Sequence, residues 1–175
     1  MAALGVVPVD AGGINKVVGV AVAFRALGFP TAILRDDDRG TPVGEAEFLS
    51  SGGIVFHWEP GHATEDALFT HLPESAAQKL LEHAVAALGE PTVNAQLDSA
   101  SSGIIHADDC RGALAATHRQ VLGKAAQSKT TPWFKSVGRM EQVAREVIGP
   151  VLPATGAPVA DVVKELRTWA RNAAG

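Results

Sequence analysis

Hydrophobic residues along the chain follow two patterns: short uninterrupted runs and longer stretches with helical spacing. The uninterrupted runs at residues 4–9, 31–35 and 54–58 have the length of short buried strands. Between the first two runs, apolar residues recur at helical spacing over residues 14–27, before a glycine and a proline. A strand, a helix and a strand in this order favour a parallel pair, because parallel strands need a crossover connection.

Helical spacing dominates the rest of the chain. A short helix is predicted after the third run at residues 64–69, and apolar stripes predict further helices at 76–88, 108–122, 137–148 and 159–169, while residues 94–105 are rich in serine and fit no single element. Prolines and a glycine separate the last stripe from the helix before it. The pattern predicts an α/β fold with a parallel sheet over residues 1–149. An amphipathic helix within residues 150–175 is expected to pack on that domain.

The composition allows one domain and excludes several classes of protein. With 175 residues and 46% apolar content, the chain can bury one sizeable core. A formal net charge of -4 creates no general attraction to nucleic acid or to an anionic membrane, so such contacts must be local. No apolar stretch approaches the roughly 20 residues of a membrane span, and the chain start lacks the features of a signal peptide. Together with a single cysteine, Cys110, this predicts a cytoplasmic protein without an internal disulfide.

An acidic triplet, Asp36, Asp37 and Asp38, follows the second apolar run. In an open parallel sheet, functional side chains collect at the carboxyl ends of the strands. In an extended segment, alternation would turn Asp36 and Asp38 to one side and Asp37 to the other, so the first and third acids could share a hard cation. A solvated acidic turn explains the same residues equally well, because Gly40 and Pro42 follow.

A second acidic position, Glu65, follows the third apolar run and lies in the first turn of a predicted helix. If the second and third strands are neighbours, Glu65 can approach Asp36 and Asp38. Magnesium needs only two or three carboxylates held at strand ends, because it keeps several water ligands. These three acids are therefore the predicted metal ligands.

Lys135 is the best candidate for a cation that balances charge on a transferred phosphoryl group, because Trp133 and Phe134 precede it and a predicted helix follows. An ordinary surface lysine beside aromatic packing residues explains it as well. The sequence gives no support for a zinc site or a nucleotide-binding loop. No two histidines have the spacing of a helical zinc motif, and no glycine-rich segment has the pattern of a dinucleotide or ATP phosphate loop.

Four segments of the chain, in this order, resemble a known family. The segments are VVPVDAGGINKV, LGFPTAILRDDDRGTP, HWEPGHATEDALF and TTPWFKSVGRME. They resemble the carboxyl-terminal topoisomerase-primase (TOPRIM) domain of the overcoming-lysogenization-defect (OLD) family of ATP-dependent endonucleases. The resemblance spans residues 6–148. It implies a Rossmann-like parallel sheet with a helical insertion, and two divalent ions, Mg²⁺ or Mn²⁺, that together cleave a DNA phosphodiester bond.

The resemblance also implies roles for individual residues. Asp36 and Asp38 match the metal ligands of the family, and Glu65 matches the acid that serves the second ion. Lys135 matches the lysine that stabilises the transition state. DNA is the implied substrate, and no membrane contact is expected.

The family's first strand and its glutamate motif have no counterpart before Met1, and neither has the family's ATPase domain. The chain is therefore expected to be a truncated gene product, a separately encoded piece or a chain with a late start. Three matched acids are few for two ions with four positive charges, so weak or single-metal binding is expected. An ATPase domain or partner chain supplied separately, or a second copy of the chain, is expected to cover the open sheet edge.

A metal-dependent DNA endonuclease is thus the leading interpretation of the sequence, and the activity of the isolated chain without the missing motif is left open. Two alternatives remain open. A haloacid-dehalogenase-like phosphohydrolase also places two aspartates after a strand, but Gly40 stands where that family expects threonine or valine. A noncatalytic chain that binds a partner through its sheet edge is the other alternative.

Overall fold

The computed structural model describes residues 5–173, in which helices alternate with two short strands and then continue alone. The elements are α1 (Ile14–Ala26), β1 (Ala32–Arg35), α2 (Glu45–Ser50), β2 (Ile54–His57), α3 (Thr64–His71), α4 (Glu74–Leu88), α5 (Glu90–Ser101), α6 (Ala116–Ala126), α7 (Val137–Val143), α8 (Gly149–Val151) and α9 (Ala157–Ala173). Short 3-10 turns occur at Asp108–Cys110 and Leu152–Ala154, and a π-helical turn at Ala144–Ile148. Among the described helices, none combines the length and the apolar character that crossing a membrane requires.

The chain forms two compact units. The first contains the described parts of Met1–Ala63 and Asp161–Gly175, and the second is Thr64–Ala160. The predicted division between residues 149 and 150 therefore falls inside the second unit.

The sheet of the first unit consists of two parallel strands. Ala32 lies opposite Ile54, and Arg35 lies opposite His57. Helix α2 lies in the crossover between the strands, as a parallel connection requires. The second and third apolar runs of the sequence are thus neighbouring parallel strands, and the fold is α/β with a small sheet.

The predicted first strand, at residues 4–9, is wrong for its described part. Residues 5–9 have no regular structure, and Leu4 lies outside the described residues. Val7 and Val9 are exposed by 77% and 53%. Pro8 gives the physical reason, because proline has no N–H to donate to a strand ladder and is rare inside strands. Apolar content alone was a poor guide at this segment.

The core of the first unit lies between α1 and one face of the sheet. Its buried residues are Val18 and Ala21 from α1, Ile33 from β1 and Phe48 from α2. On the other face of the sheet, the ring of Phe56 meets Trp169 of α9 edge to face, with centroids 6.5 Å apart. The predicted helix at 14–27 and the amphipathic helix near the end of the chain are both confirmed.

A glycine before β2 allows a close approach of α2 to the sheet. A Cβ atom on Gly53 would lie 2.4 Å from the ring of Phe48 and 2.6 Å from its carbonyl oxygen. A side chain at this position would therefore push Phe48 out of the core.

The second unit is helical and packs around aromatic residues. Trp133, Phe69 and Phe134 contact one another, with ring centroids 5.8 Å apart for Trp133 and Phe69, 6.1 Å for Trp133 and Phe134, and 6.5 Å for the two phenylalanines. The fully buried leucines of the second unit are Leu72, Leu80, Leu81, Leu97 and Leu122.

In two places the helices of the second unit differ from those predicted from the sequence. Residues 94–105 fitted no element, yet α5 covers most of them, and the predicted helix at 108–122 is a 3-10 turn followed by α6, with Gly112 in the break.

Candidate functional site

The loops that follow β1 and β2 lie side by side, because the strands are parallel neighbours. Two backbone hydrogen bonds join the loops. The N–H of Asp37 donates to the carbonyl of His62 at 2.9 Å, and the N–H of Gly61 donates to the carbonyl of Asp37 at 3.1 Å. Asp37 is therefore held against the second loop through both of its backbone groups.

A buried ion-pair network lies beneath the first loop. Arg35 shares the buried face of β1 with Ile33, and Arg35 and Glu45 are exposed by only 8% and 5%. Arg35 Nε donates to Glu45 Oε2 at 2.6 Å, and Nη2 donates to Oε1 at 2.9 Å. Its Nη1 donates to the carbonyl of Asp36 at 3.0 Å and to the carboxylate of Asp37. One guanidinium thus contacts two carboxylates and the loop backbone.

The electrostatics of this network favour a permanently charged arginine. The hydrogen bonds with Glu45, and then those with Asp37, raise the pKa of Arg35 further above its ordinary value, against the lowering effect of burial. Arg35 is therefore protonated at physiological pH. The carboxylates of Glu45 and Asp37 are engaged by it, and neither is a good candidate for an additional metal ligand.

The remaining acids of the first loop have different surroundings. Asp36 is half-buried. The carboxylate of Asp38 lies 3.5 Å from Nε of Arg39, whose side chain is 73% exposed. Such an exposed ion pair holds a carboxylate only weakly. Asp38 therefore remains able to exchange this partner for a cation.

The acidic triplet is not an extended segment, so strand geometry does not alternate its side chains as predicted. The chain bends at Asp37 and turns at Asp38 and Arg39, and Gly40 follows with a φ of 77°. The side chain of Asp37 still turns towards the buried Arg35, whereas Asp38 meets an exposed partner. The separation of Asp37 from its neighbours thus comes from an ion pair, and not from strand geometry.

Glu65 and Lys135 lie in the second unit. Glu65 is half-buried in the first turn of α3, as predicted. Lys135 is exposed and directly follows the buried Trp133 and Phe134. Asp36 and Asp38 belong to the first unit, and the meeting of Asp36, Asp38 and Glu65 at one cation stays a prediction, as does the role of Lys135.

Two contacts fix the backbone next to Lys135 and Glu65. Ser136 caps α7, because its Oγ accepts a hydrogen bond from the N–H of Arg139 at 3.3 Å. At the start of α3, a Cβ atom on Gly123 of α6 would lie 2.7 Å from Oδ1 of Asp66 and 3.1 Å from its Cα. Gly123 is thus a packing residue for α3.

A cavity of about 400 Å³ lies within the second unit, close in sequence to Lys135. His83, Arg139 and Gln142 line it, and Trp133 and Phe134 form part of its wall. Within residues 5–173, no carboxylate lies within ion-pair distance of the Arg139 guanidinium. This arginine is a basic residue that sequence reasoning did not single out, although it lies in the fourth segment of the family resemblance.

Sequence reasoning also missed Arg35 as a functional candidate. The signal was present, because a charged residue at a buried strand position needs a partner, and Glu45 begins the next helix. The periodic pattern of apolar residues does not show which acid pairs with Arg35, because Glu45 lies on a different element.

Comparison with known proteins adds no relative: no protein-family model matches the chain, and no curated protein and no solved structure matches it. A functional assignment therefore rests on the residues themselves and on the arrangement of the two loops.

Proposed function

We propose that this chain is a TOPRIM-type nuclease domain of the OLD family that hydrolyses phosphodiester bonds in DNA with Mg²⁺ or Mn²⁺. The observation that carries the proposal is the position of Asp36 and Asp38 at the carboxyl end of β1, beside the loop that follows the parallel strand β2. This is where open α/β sheets collect functional side chains. The unit of strand, helix and strand from β1 to β2 is the kind of element from which a Rossmann-like sheet is built.

The donor atoms available at this sheet edge fit a hard divalent ion. Asp36 and Asp38 offer carboxylate oxygens, which magnesium and manganese prefer to sulfur or nitrogen. Cys110 is buried in the second unit, and burial raises the pKa of its thiol to about 11, so it is no ready thiolate ligand. A cytoplasmic location is part of the same proposal, since this one free thiol fits a reducing compartment.

Each residue then has a defined task. Asp36, Asp38 and Glu65 hold the ion, which supplies an activated water and offsets the charge of the phosphate. Lys135 places its ammonium at the phosphoryl oxygens as negative charge builds up there. Arg139, without a carboxylate partner in the described part of the chain, offers a second cation for the DNA backbone.

Partners are proposed on the same basis. A net charge of -4 gives the chain no general attraction to DNA, so we expect an ATPase domain or another chain, supplied separately, to assist binding. The described sheet has only two strands, and a second copy of the chain could also extend it.

The assay is nicking of supercoiled plasmid DNA in Mn²⁺ or Mg²⁺. We expect nicking by the natural chain, with a separately supplied ATPase partner where one is needed, and none after Asp36→Asn or Asp38→Asn. Asp161→Asn, at an exposed position of α9, is the matched control and is expected to change nothing. No nicking with either metal, or equal nicking by the two loop variants, would overturn the proposal.

Two further variants test the residues of the second unit. Lys135→Met is expected to slow nicking about 100-fold, as loss of a transition-state contact does. Lys129→Met is its control, since Lys129 is also exposed. Glu65→Gln is expected to weaken Mn²⁺ binding, whereas Glu141→Gln on α7 is not. Equal Mn²⁺ affinities for the two glutamine variants would remove Glu65 from the site.

One observation favours a second candidate, a noncatalytic chain that binds a protein partner. Leu34 and Ile54, on the same face of the small sheet, are exposed by 46% and 40%. An apolar face beside open strand edges is typical of partner binding. Complex formation that Leu34→Lys abolishes, in a chain that binds no metal, would favour this candidate.

A further inference from the structure

The cavity of about 400 Å³ in the second unit has three polar side chains in its lining, His83 from α4 and Arg139 and Gln142 from α7. Glu146 engages two of them. It accepts a hydrogen bond from Nε2 of Gln142 at 3.1 Å, and its carboxylate lies 3.9 Å from Nε2 of His83. Arg139 is different, because within residues 5–173 its guanidinium makes neither a hydrogen bond nor an ion pair.

The guanidinium of Arg139 is therefore available to an anion that enters the cavity. The residue is half-buried, so part of its hydration is already lost. Its five N–H donors form a planar fork, which matches the oxygens of a phosphate or a carboxylate in pairs. The backbone N–H of Arg139 donates to Oγ of Ser136 at 3.3 Å, and this cap fixes the residue in the first turn of α7.

The rest of the cavity lining is apolar. It consists of Ala86, Ala87, Trp133, Phe134 and Val143. Alanine side chains are short, so they leave room beside the wall for a planar group. The volume and the mixture of an apolar wall with a few polar groups are typical of sites for small organic molecules. An anion with an apolar or planar body fits this lining better than a bare inorganic ion.

We propose that this cavity binds one nucleotide of the DNA substrate, with its phosphate on Arg139 and its base against the apolar wall. The amide of Gln142 and the imidazole of His83 supply hydrogen-bonding groups for the edge of the base. An unstacked base of a single strand presents such an edge together with its flat face. The inference rests on the proposed function for the source of the nucleotide, and it adds a substrate-binding site to it.

The position of the cavity along the chain supports this assignment. Four residues separate Arg139 from Lys135, so the two Cα atoms lie within about 14 Å of each other. Two cations this close can serve neighbouring phosphates of one strand. Arg139 then holds a nucleotide beside the phosphate on which Lys135 acts.

The first test is isothermal titration calorimetry of the natural chain without divalent metal. The probes are deoxyadenosine monophosphate, deoxyadenosine, inorganic phosphate and benzoate. We expect the nucleotide to bind at least about tenfold more tightly than each of the other three, because only the nucleotide has both a phosphate and a base. Equal affinity for inorganic phosphate or for benzoate would overturn the inference.

Two variants locate the site. Arg139→Gln is expected to lower the affinity for the nucleotide at least about tenfold, since it removes a charged hydrogen-bond donor. Arg145→Gln, at an exposed arginine outside the cavity lining, is its control and should change nothing. Ala87→Leu fills part of the cavity and is expected to weaken binding as well, whereas Ala95→Leu, at an exposed position of α5, is not. Unchanged affinity in both cavity variants would overturn the inference.

A single-stranded oligonucleotide of deoxyadenylate distinguishes DNA from free nucleotide as the source. We expect it to displace deoxyadenosine monophosphate, and we expect Arg139→Gln to weaken its binding. Binding of the oligonucleotide without displacement would overturn the inference.

The outcomes also separate this inference from the proposed function. Nicking of plasmid DNA by a chain that binds no nucleotide at Arg139 would overturn the inference alone. Binding of the nucleotide and the oligonucleotide at Arg139, in a chain that nicks DNA with neither metal, would overturn the nuclease function and leave the binding site in place.

Discussion

Trp133 donates its indole N–H to the side-chain oxygen of Gln96, 2.7 Å away, inside the second unit. Gln96 in turn donates from Nε2 to the backbone oxygen of Thr131 at 2.8 Å and to its hydroxyl at 2.6 Å. One glutamine of α5 therefore fixes both the aromatic core and the segment that leads to Lys135.

Replacing this glutamine should destabilise the second unit. Gln96→Met leaves the buried indole N–H without an acceptor, and we expect a loss of about 1–3 kcal/mol in the free energy of unfolding. Urea unfolding followed by tryptophan fluorescence measures it. Gln120→Met, at an exposed position of α6, serves as the control. Equal stabilities for the two variants would show that the hydrogen bond is replaced by water.

Glu45 should be needed for the stability of the first unit. Glu45→Leu removes the partner of a buried arginine, and we expect a loss of about 3–5 kcal/mol, as for other broken buried ion pairs. Thermal unfolding monitored by circular dichroism measures the change. Glu47→Leu, on the exposed side of the same helix, should alter stability by no more than about 0.5 kcal/mol. A small effect at Glu45 would mean that Arg35 reaches water when its partner is removed.

Gly123 should tolerate no side chain. A methyl group would lie 2.7 Å from the carboxylate of Asp66 and 3.1 Å from its backbone Cα, so α3 and α6 would have to separate. We expect Gly123→Ala to cost about 1–3 kcal/mol in the free energy of unfolding. Gly138→Ala, in α7 with open space around its Cα, should be neutral or stabilising. The opposite order of stabilities in urea would contradict the close packing.

Cys110 should be inert to thiol reagents while the chain is folded. Burial, and to a smaller extent Asp109, raises the pKa of its thiol from 9.0 to about 11. Labelling with a chromogenic disulfide at pH 8 should therefore be slow, and it should become fast in urea. Fast labelling of the folded chain would show that Cys110 is accessible.

The same shift makes stability depend on pH. Because the folded-state pKa lies above the value of 9.0 expected for the unfolded chain, the thiol contributes stability below about pH 9 that is lost as the pH rises towards about 11. Unfolding by urea at a series of pH values measures this loss. Cys110→Ala should have a flatter profile over the same interval.

Much of the fold was predictable, because the strongest periodic patterns are local. The stripes of α4 and α9 and the apolar runs of β1 and β2 required no knowledge of distant contacts. Helix α5 was missed for a physical reason. Its serine and asparagine content hid the buried pair Val93 and Leu97. Pro91 lies in the first turn of this helix, where proline is favoured.

The candidate site was predictable only in part. The acidic triplet was located from the end of an apolar run, and its position at the end of β1 is confirmed. The role of Arg35 was not predictable, because its partner Glu45 lies on another element and the pairing depends on how α2 packs. Interactions between elements follow from tertiary packing, which residue periodicity does not encode.

The close fit at Gly53 suggests a way to search for relatives by sequence. A side chain at residue 53 would lie 2.4 Å from the Phe48 ring, so the packing of α2 beside β2 requires glycine there. In this packing Glu45, at the start of α2, reaches Arg35. Distant homologues that share the ion pair should therefore combine arginine at the strand end, glutamate at the start of the next helix and glycine before the second strand, even where every other residue has diverged.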